Sequence, residues 1–272
     1  MSTAYLLVHH GSRDPRPEIA MHQLAWLVKK RVQNQFSETS LQLSPGNAGV
    51  AAATKCDVCI GTATLELSSQ SLEEQIRLFA KQAINQGCRR LKILPLFLLP
   101  GVHVMEDIPR EVAQAQLALG GEIKLELQLY LGANPGIGEL VTQQMACTQV
   151  DVDKWILLAH GSRRPGALHT IEAIANHVGA VSAYWAVAPS WEQRVKELVS
   201  TGYKKIAILP YFLFPGGITD AIANSVEEVK LQFPGVNLHL AQTLAASADL
   251  ADLIGNVIAD GTHRTTEGEI FG

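Results

Sequence analysis

Two histidines, His10 and His103, are the side chains on which a chemistry can be built. His10 opens the run His10-Gly11-Ser12-Arg13, directly after the apolar stretch Ala4-Tyr-Leu-Leu-Val8. His103 closes Pro100-Gly101-Val102-His103, after a second apolar stretch. A neutral imidazole binds divalent metals and exchanges protons near neutral pH. Two of them in one cleft would make a metal site with open coordination positions. Glu66, in Thr64-Leu65-Glu66-Leu67, would add negative charge or a proton acceptor. Ser12, Arg13, Arg163 and Arg164 are donors for an anionic ligand, the arginines by bidentate contact with carboxylates. Each group also has a plainer reading. The HGSR run is by itself a strand-to-helix turn, His103 by itself a solvated loop residue, and Glu66 and the arginines by themselves a hydrated surface.

What brings these residues together is an internal duplication, the first signal to seek in any chain. His10-Gly-Ser-Arg13 recurs as His160-Gly-Ser-Arg163, again after an apolar run, Trp155-Ile-Leu-Leu-Ala159. Ile93–Gly101 recurs as Ile208–Gly216 with seven of nine positions identical, and in the same order along the chain. One unit is therefore present twice. The repeats differ in length, and the extra residues of the first fall mainly in Gln35 to Lys55, rich in Ser, Gly, Asn and Ala. A surface insertion tolerates such a difference.

Each repeat alternates strand and helix patterns. Tyr5–Val8, Val58–Leu67, Leu91–Leu98 and Ile123–Leu131 read as strands. Helical spacing runs over Pro17–Val32, from the capping box Ser71-Leu-Glu-Glu74 to about Asn85, over Glu106–Leu117 and over Ile137–Met145. The second repeat follows with strands at 155–159, 181–187, 204–213 and 236–241 and helices at 167–178, 190–200, 219–231 and 247–258. Near-continuous apolar strands alternating with helices predict parallel sheets covered on both faces. The expected fold class is α/β: two tandem flavodoxin-like α/β/α lobes facing each other. Residues 1–150 form the N-terminal lobe with the active site, 151–259 a degenerate C-terminal lobe, and 260–272 a flexible tail. In such sheets ligands bind beyond the strand C-termini, where His10, Glu66 and His103 are all expected.

Composition narrows the function classes. Apolar residues make up 47% of 272 residues, too many for disorder, and the net charge of −4 argues against a nucleic-acid partner. The N-terminus lacks the basic region of a signal peptide. The longest apolar run, Ile93–Val102, is broken by prolines and falls short of the roughly 18 residues of a membrane span. A cytoplasmic protein with reduced cysteines is expected. Cys56-Asp-Val-Cys59 reads as buried structural thiols, since strand alternation sends the two to opposite faces. His9 points away from His10, while His22, His169, His177 and His239 have no partner spacing. A phosphate-binding enzyme using HGSR as an anion loop would need a glycine-rich signature that the chain lacks.

The two repeats, compared, point to one active cleft. Counting back from the capping boxes sets Trp185 opposite Glu66, and counting from Pro-Gly sets Ile218 opposite His103. The second repeat keeps His160 and lacks the other two groups. A shared requirement of the fold would have kept similar residues in both. The first repeat is therefore expected to carry the chemistry and the second to form a lid and wall.

The set His10-Gly-Ser-Arg13, Leu65-Glu66 and Leu94-Pro-Leu-Phe-Leu-Leu-Pro-Gly-Val-His103, with Asp107-Ile-Pro109 after it, resembles the CbiX/SirB type of sirohydrochlorin chelatase, in its long two-copy form. The resemblance covers nearly the whole chain. It implies a lyase that inserts Co²⁺ or Fe²⁺ into sirohydrochlorin, toward cobalamin or siroheme. His10 and His103 match the family's metal-handling histidines, and Glu66 its catalytic carboxylate. The polycarboxylate substrate implies rim donors, for which Ser12, Arg13, Arg163 and Arg164 are the candidates. No resident cofactor is implied; the ion is a substrate. The His-rich or Cys-rich tail of many long members is missing, as only His263 and no cysteine follows residue 260. By the Irving–Williams order an N/O site prefers Co²⁺ to Fe²⁺, so cellular supply would set the choice. A non-catalytic tetrapyrrole or metal carrier would use the same cleft. Because one chain already holds two lobes, a monomer is expected.

Overall fold

The computed structural model describes residues 2–42, 58–164, 166–244 and 248–260. The first repeat runs β1 (Ser2–His9), α1 (Pro15–Gln42), β2 (Ile60–Thr64), α2 (Leu72–Asn85), β3 (Cys88–Pro95), α3 (Ile108–Leu119), β4 (Lys124–Leu127) and α4 (Ile137–Cys147). The second runs β5 (Lys154–Ala159), α5 (His169–His177), β6 (Val181–Tyr184), α6 (Trp191–Ser200), β7 (Lys205–Pro210), α7 (Gly217–Gln232), β8 (Asn237–Leu240) and α8 (Ala248–Asp260). Each repeat makes one four-stranded parallel sheet, in the orders β2-β1-β3-β4 and β6-β5-β7-β8. These are flavodoxin-like orders, in which the winding direction reverses between the first and third strands.

Strand alternation divides the interior into layers. Ala4, Leu6 and Val8 face α2 and α3, packing on Leu72, Ile76, Ile108 and Val112. Tyr5 and Leu7 face the other way, into a cluster that also takes in Leu157 and Ala159 of β5. The same cluster holds Met21, Leu24 and Val28 of α1, Leu140 and Val141 of α4, Ile171 of α5, and Leu250 and Ile254 of α8. On the far side, Ile156 and Leu158 pack on Trp191 and Val195 of α6 and Ile222 and Val226 of α7. The two lobes thus share a central helical layer and are not joined only by a linker.

Local chemistry fixes the boundaries. Ser71 and Ser190 each cap a helix with the full reciprocal box, to Glu74 and to Gln193. The first helix is longer than the sequence pattern suggests. It continues to Gln42, into the segment read as an insertion, whose remainder at 43–57 lies outside the described residues. Cys56 and the tail beyond Asp260 lie there too, while Cys59 is buried just before β2.

A shared core should melt as one. Leu7→Ala and Leu157→Ala, in opposite sheets, should each cost about 2–5 kcal/mol and lower the same single transition in calorimetry. Two transitions, only one of them moved by each variant, would contradict the shared layer.

Candidate metal-handling site

The pairing of β1 with β3 builds the site. The Leu96 amide donates to the Val8 carbonyl at 2.7 Å, extending the ladder past the last strand residues. His10 follows one strand at this point and Pro100-Gly101 the other. On the opposite side, the Leu65 and Glu66 amides donate to the carbonyls of His9 and His10, both at 2.9 Å. Three strand ends therefore deliver His10, Glu66 and His103 to one spot. The two imidazole centroids are 4.9 Å apart and nearly perpendicular, at 86°. Nε2 of His103 lies 3.9 Å from Oε1 of Glu66. One ligand atom from each of the three side chains falls within 4.8 Å of the others. Among the described residues this is the one His/Cys/Asp/Glu group so arranged. Bonds of roughly 2.0–2.2 Å to one ion require the ligand atoms to draw closer together, by side-chain rotation.

Hydrogen bonds orient both rings. Nδ1 of His103 donates to Oδ2 of Asp107 at 2.9 Å, which leaves Nε2 as the ligand nitrogen. The bond from His103, reinforced by one from Arg110, holds the Asp107 carboxyl below the usual carboxylate range. Nδ1 of His10 lies 3.2 Å from the Gly11 carbonyl, so that a proton on Nδ1 again presents Nε2 outward. Phe97 lies beside both rings, at 6.2 and 6.4 Å between centroids. His10 and Glu66 are exposed and His103 is part-buried, which leaves the site open to a ligand.

His103 does not lie in a loop. It begins a π-helical turn, His103–Asp107, in which the Ile108 amide reaches back to the His103 carbonyl. Pro109 has no N–H to continue an α-helical ladder to Met105, and the chain takes the wider bond instead. From Gly101 to the buried Ile108 the first repeat has one residue more than the second has from Gly216 to the buried Ile222. That extra residue is taken up in the π turn. The i,i+4 spacing of His103 and Asp107 could have revealed their pairing from sequence, had the helix been started at His103 and not at Glu106.

Gly11 is demanded by the same geometry. Its φ is +100°, and a Cβ there would meet the Glu66 carbonyl oxygen at 2.1 Å. Gly161 is also left-handed, at +85°. Ser12 and Ser162 accept the amides of Asp14 and Arg164, at 3.0 and 3.1 Å. Much of HGSR is thus turn chemistry, kept in both repeats; the Ser12 O–H remains a donor.

The second repeat repeats the frame with only the histidine of HGSR, His160, among the three groups. The Trp185 and Ala186 amides bond to the carbonyls of Ala159 and His160, as Leu65 and Glu66 bond to those of His9 and His10. Ala186, not Trp185, is therefore the counterpart of Glu66; the loop to the capping serine is one residue shorter in this repeat. Counted from Pro-Gly, Ile218 stands where His103 does. The two lobes face each other at their strand ends. Arg164 approaches Glu106 at 3.6 Å, and Arg16 makes a two-pronged contact with Asp220, one prong at 3.0 Å, while Asp14 holds its other edge. Arg16 and this clasp are not evident in the sequence, because the partners are distant along the chain. Arg13 and Arg163 are exposed on their loops. His9 is buried and turned away from His10, between Thr64 and Glu18, at 3.2 Å from each. Burial pulls its imidazole below the ordinary range, against the opposing pull of Glu18. His22, read as unpartnered, shares that Glu18 carboxylate at 3.1 Å.

Asp107→Ala should weaken Co²⁺ binding about 10–100-fold, as loss of a partner behind a ligating histidine does, in a titration followed by cobalt absorption. Unchanged affinity would show that Asp107 does not orient His103. Gly11→Ala should destabilise the fold by about 2 kcal/mol or more through its forbidden backbone and the clash with Glu66, seen as a lower urea midpoint.

Comparison with known proteins agrees with the architecture. The sequence model of the CbiX family matches residues 50–148 and again 154–261, once in each repeat. Sirohydrochlorin ferrochelatase of Priestia megaterium is 26% identical over 180 residues, 61% of this chain and 64% of that protein, so the match spans just under two thirds of its length. Sirohydrochlorin cobaltochelatase of the same organism is 22% identical over 231 residues, 78% of this chain and 71% of that protein. Among solved structures, SirB from Bacillus subtilis with Fe³⁺ superposes with a TM-score of 0.72 at 20% identity, covering 97% of this chain and all of that one. The doubled match, over most of the sequence and in register with two sheets of matching topology, leads to one assignment: the chain belongs to the CbiX family.

Proposed function

We propose that this protein is a sirohydrochlorin chelatase, a lyase that inserts Co²⁺ or Fe²⁺ into sirohydrochlorin. The observation that carries the reading is the convergence of His10, Glu66 and His103 from three neighbouring strand ends, with their ligand atoms within 4.8 Å of one another. Related proteins named for both metals support the reaction and leave the ion open.

Metal insertion needs an ion stripped of part of its water, two pyrrole protons removed, and a macrocycle held in place. Two imidazoles and one carboxylate bind an ion too loosely for a closed structural site, which suits an ion that is handed on. His10 and His103 present their Nε2 lone pairs to the ion. Glu66, exposed beside His103, balances the charge of the ion and accepts one pyrrole proton, and an imidazole freed as the ion passes to the ring accepts the other. Arg13, Arg163 and Arg164, with the Ser12 hydroxyl, are proposed to hold the substrate carboxylates. Arg164 is best placed to do so from the opposite lobe, since its 3.6 Å contact with Glu106 is exposed and weak enough to exchange. Arg16 is already held by two carboxylates.

In this reading residues 1–150 form the catalytic lobe and residues 151–259 the opposing wall. Two lobes packed within one chain support a monomer as the working unit. No helix among the described residues is long and apolar enough to cross a membrane. Cys88 and Cys147 are thiols, which fits a cytoplasmic location. No resident cofactor is needed by the residues present.

The test is anaerobic incubation with sirohydrochlorin and Co²⁺ or Fe²⁺, followed by visible absorption. Wild type should accelerate metallation over the uncatalysed rate. His10→Ala and His103→Ala should each reduce it by about 10²-fold or more, and His160→Ala should leave it near wild type. Binding without acceleration would make the protein a carrier. Equal damage from His160→Ala would contradict the single cleft.

A further inference from the structure

Leu67 combines two properties that a leucine rarely has together. Its φ is +60°, in the left-handed region that side chains other than glycine seldom adopt. It is also 59% exposed, so burial of its side chain does not offset that conformation. It directly follows Glu66, at the edge of the proposed metal site.

The second repeat shows what the same position does elsewhere. The matching backbone bonds of Glu66 and Ala186 make Val187 the counterpart of Leu67. Val187 has no left-handed φ among the described residues. It packs on the central core and lies over Gly161, where a Cβ would meet its Cγ2 at 2.6 Å. Thr64 and Tyr184 flank the glycine alike in the two repeats, but over Gly11 the Glu66 carbonyl stands in place of the valine side chain. The peptide after Glu66 is turned the other way, and the apolar side chain that could cover the turn is directed outward. The loop from here to the capping serine has one residue more than its counterpart, which permits the turn. A glycine would take this conformation freely, yet a large apolar side chain occupies it.

We propose that Leu67 is a substrate-contact residue, held outward by its left-handed backbone to lie against the apolar face of the macrocycle above His10, Glu66 and His103. This deepens the chelatase reading and rests on it. The ligand class is a flat, largely apolar tetrapyrrole ring. Val102 and Met105, either side of His103, are likewise about half exposed, at 51% and 54%, and extend the apolar rim on the other flank of the site.

The test uses Leu67→Gly and Leu67→Met in the full chain. Leu67→Gly relieves the backbone and removes the contact. It should hold or raise Tm and leave Co²⁺ affinity in the absence of macrocycle unchanged. It should weaken equilibrium binding of metal-free sirohydrochlorin, and raise KM, by about tenfold, the scale of covering part of a leucine side chain. The kcat should be retained, and Leu67→Met should restore binding. Unchanged sirohydrochlorin binding and KM in Leu67→Gly, with wild type active, would overturn the inference and leave the chelatase reading standing. A parallel fall in Co²⁺ affinity would also overturn it, because Leu67 would then act by placing Glu66. Failure of wild type to metallate sirohydrochlorin would remove both.

Discussion

The parallel pairing of β1 with β3 is the constraint on which the site depends. It sets Val8 against Pro95 and continues one bond further, to Leu96. At that point the winding of the sheet reverses, so that the chain after β1 and the chain after β3 leave on opposite faces and open a crevice between them. His10 and His103 are 93 residues apart in sequence and meet there because each follows one of two paired parallel strands. The buried ladder, with β1 covered on both faces, fixes the two strand ends from which the turns to His10 and His103 start. Glu66 joins through β2, on the other side of β1.

Duplication shows which features belong to the fold and which to the chemistry. The HGSR turn is preserved because a left-handed glycine and a serine-capped turn connect strand to helix in either lobe. His160 remains with it, facing Ala186 where His10 faces Glu66. Beside its longer first and second helices, the first lobe has two single-residue additions at the site. One lengthens the loop after Glu66; the other is absorbed in the π turn that carries His103 and Asp107. Each adjusts where a side chain points without disturbing the buried positions on either side, since Leu72 and Trp191, or Ile108 and Ile222, still fill the same places. Local departures from regular structure, placed next to reacting groups, are where a fold gives way to function.

Much of this was legible in the sequence because it depends on local patterns. The strand and helix order, both capping boxes and the meeting of His10, Glu66 and His103 follow from periodicity, repeat matching and the rule for parallel sheets. The departures have physical reasons. Helix α1 runs past Val32 to Gln42 because the polar residues there lack the breaker that would stop it. The π turn at His103 leaves no compositional trace beyond Pro109, and an inserted residue hidden in it makes counting from one anchor disagree with counting from another. In the same way, counting from the capping serines sets Trp185 opposite Glu66, whereas the backbone bonds pair Glu66 with Ala186. Contacts between lobes, such as Arg164 with Glu106 and Arg16 with Asp220, join residues with no shared sequence pattern. His22, placed by helical spacing alone, gave no sign that Glu18 bridges it to His9.

In the proposed reaction a divalent ion sits between the two imidazoles of the first repeat. A crystal soaked anaerobically in Co²⁺ and measured at the cobalt absorption edge tests this directly. One strong anomalous peak is expected within about 2.0–2.3 Å of Nε2 of His10 and of His103, with Glu66 turned toward it and no equivalent peak at His160. A peak at His160, or at His9 and His22 with the first cleft empty, would contradict it.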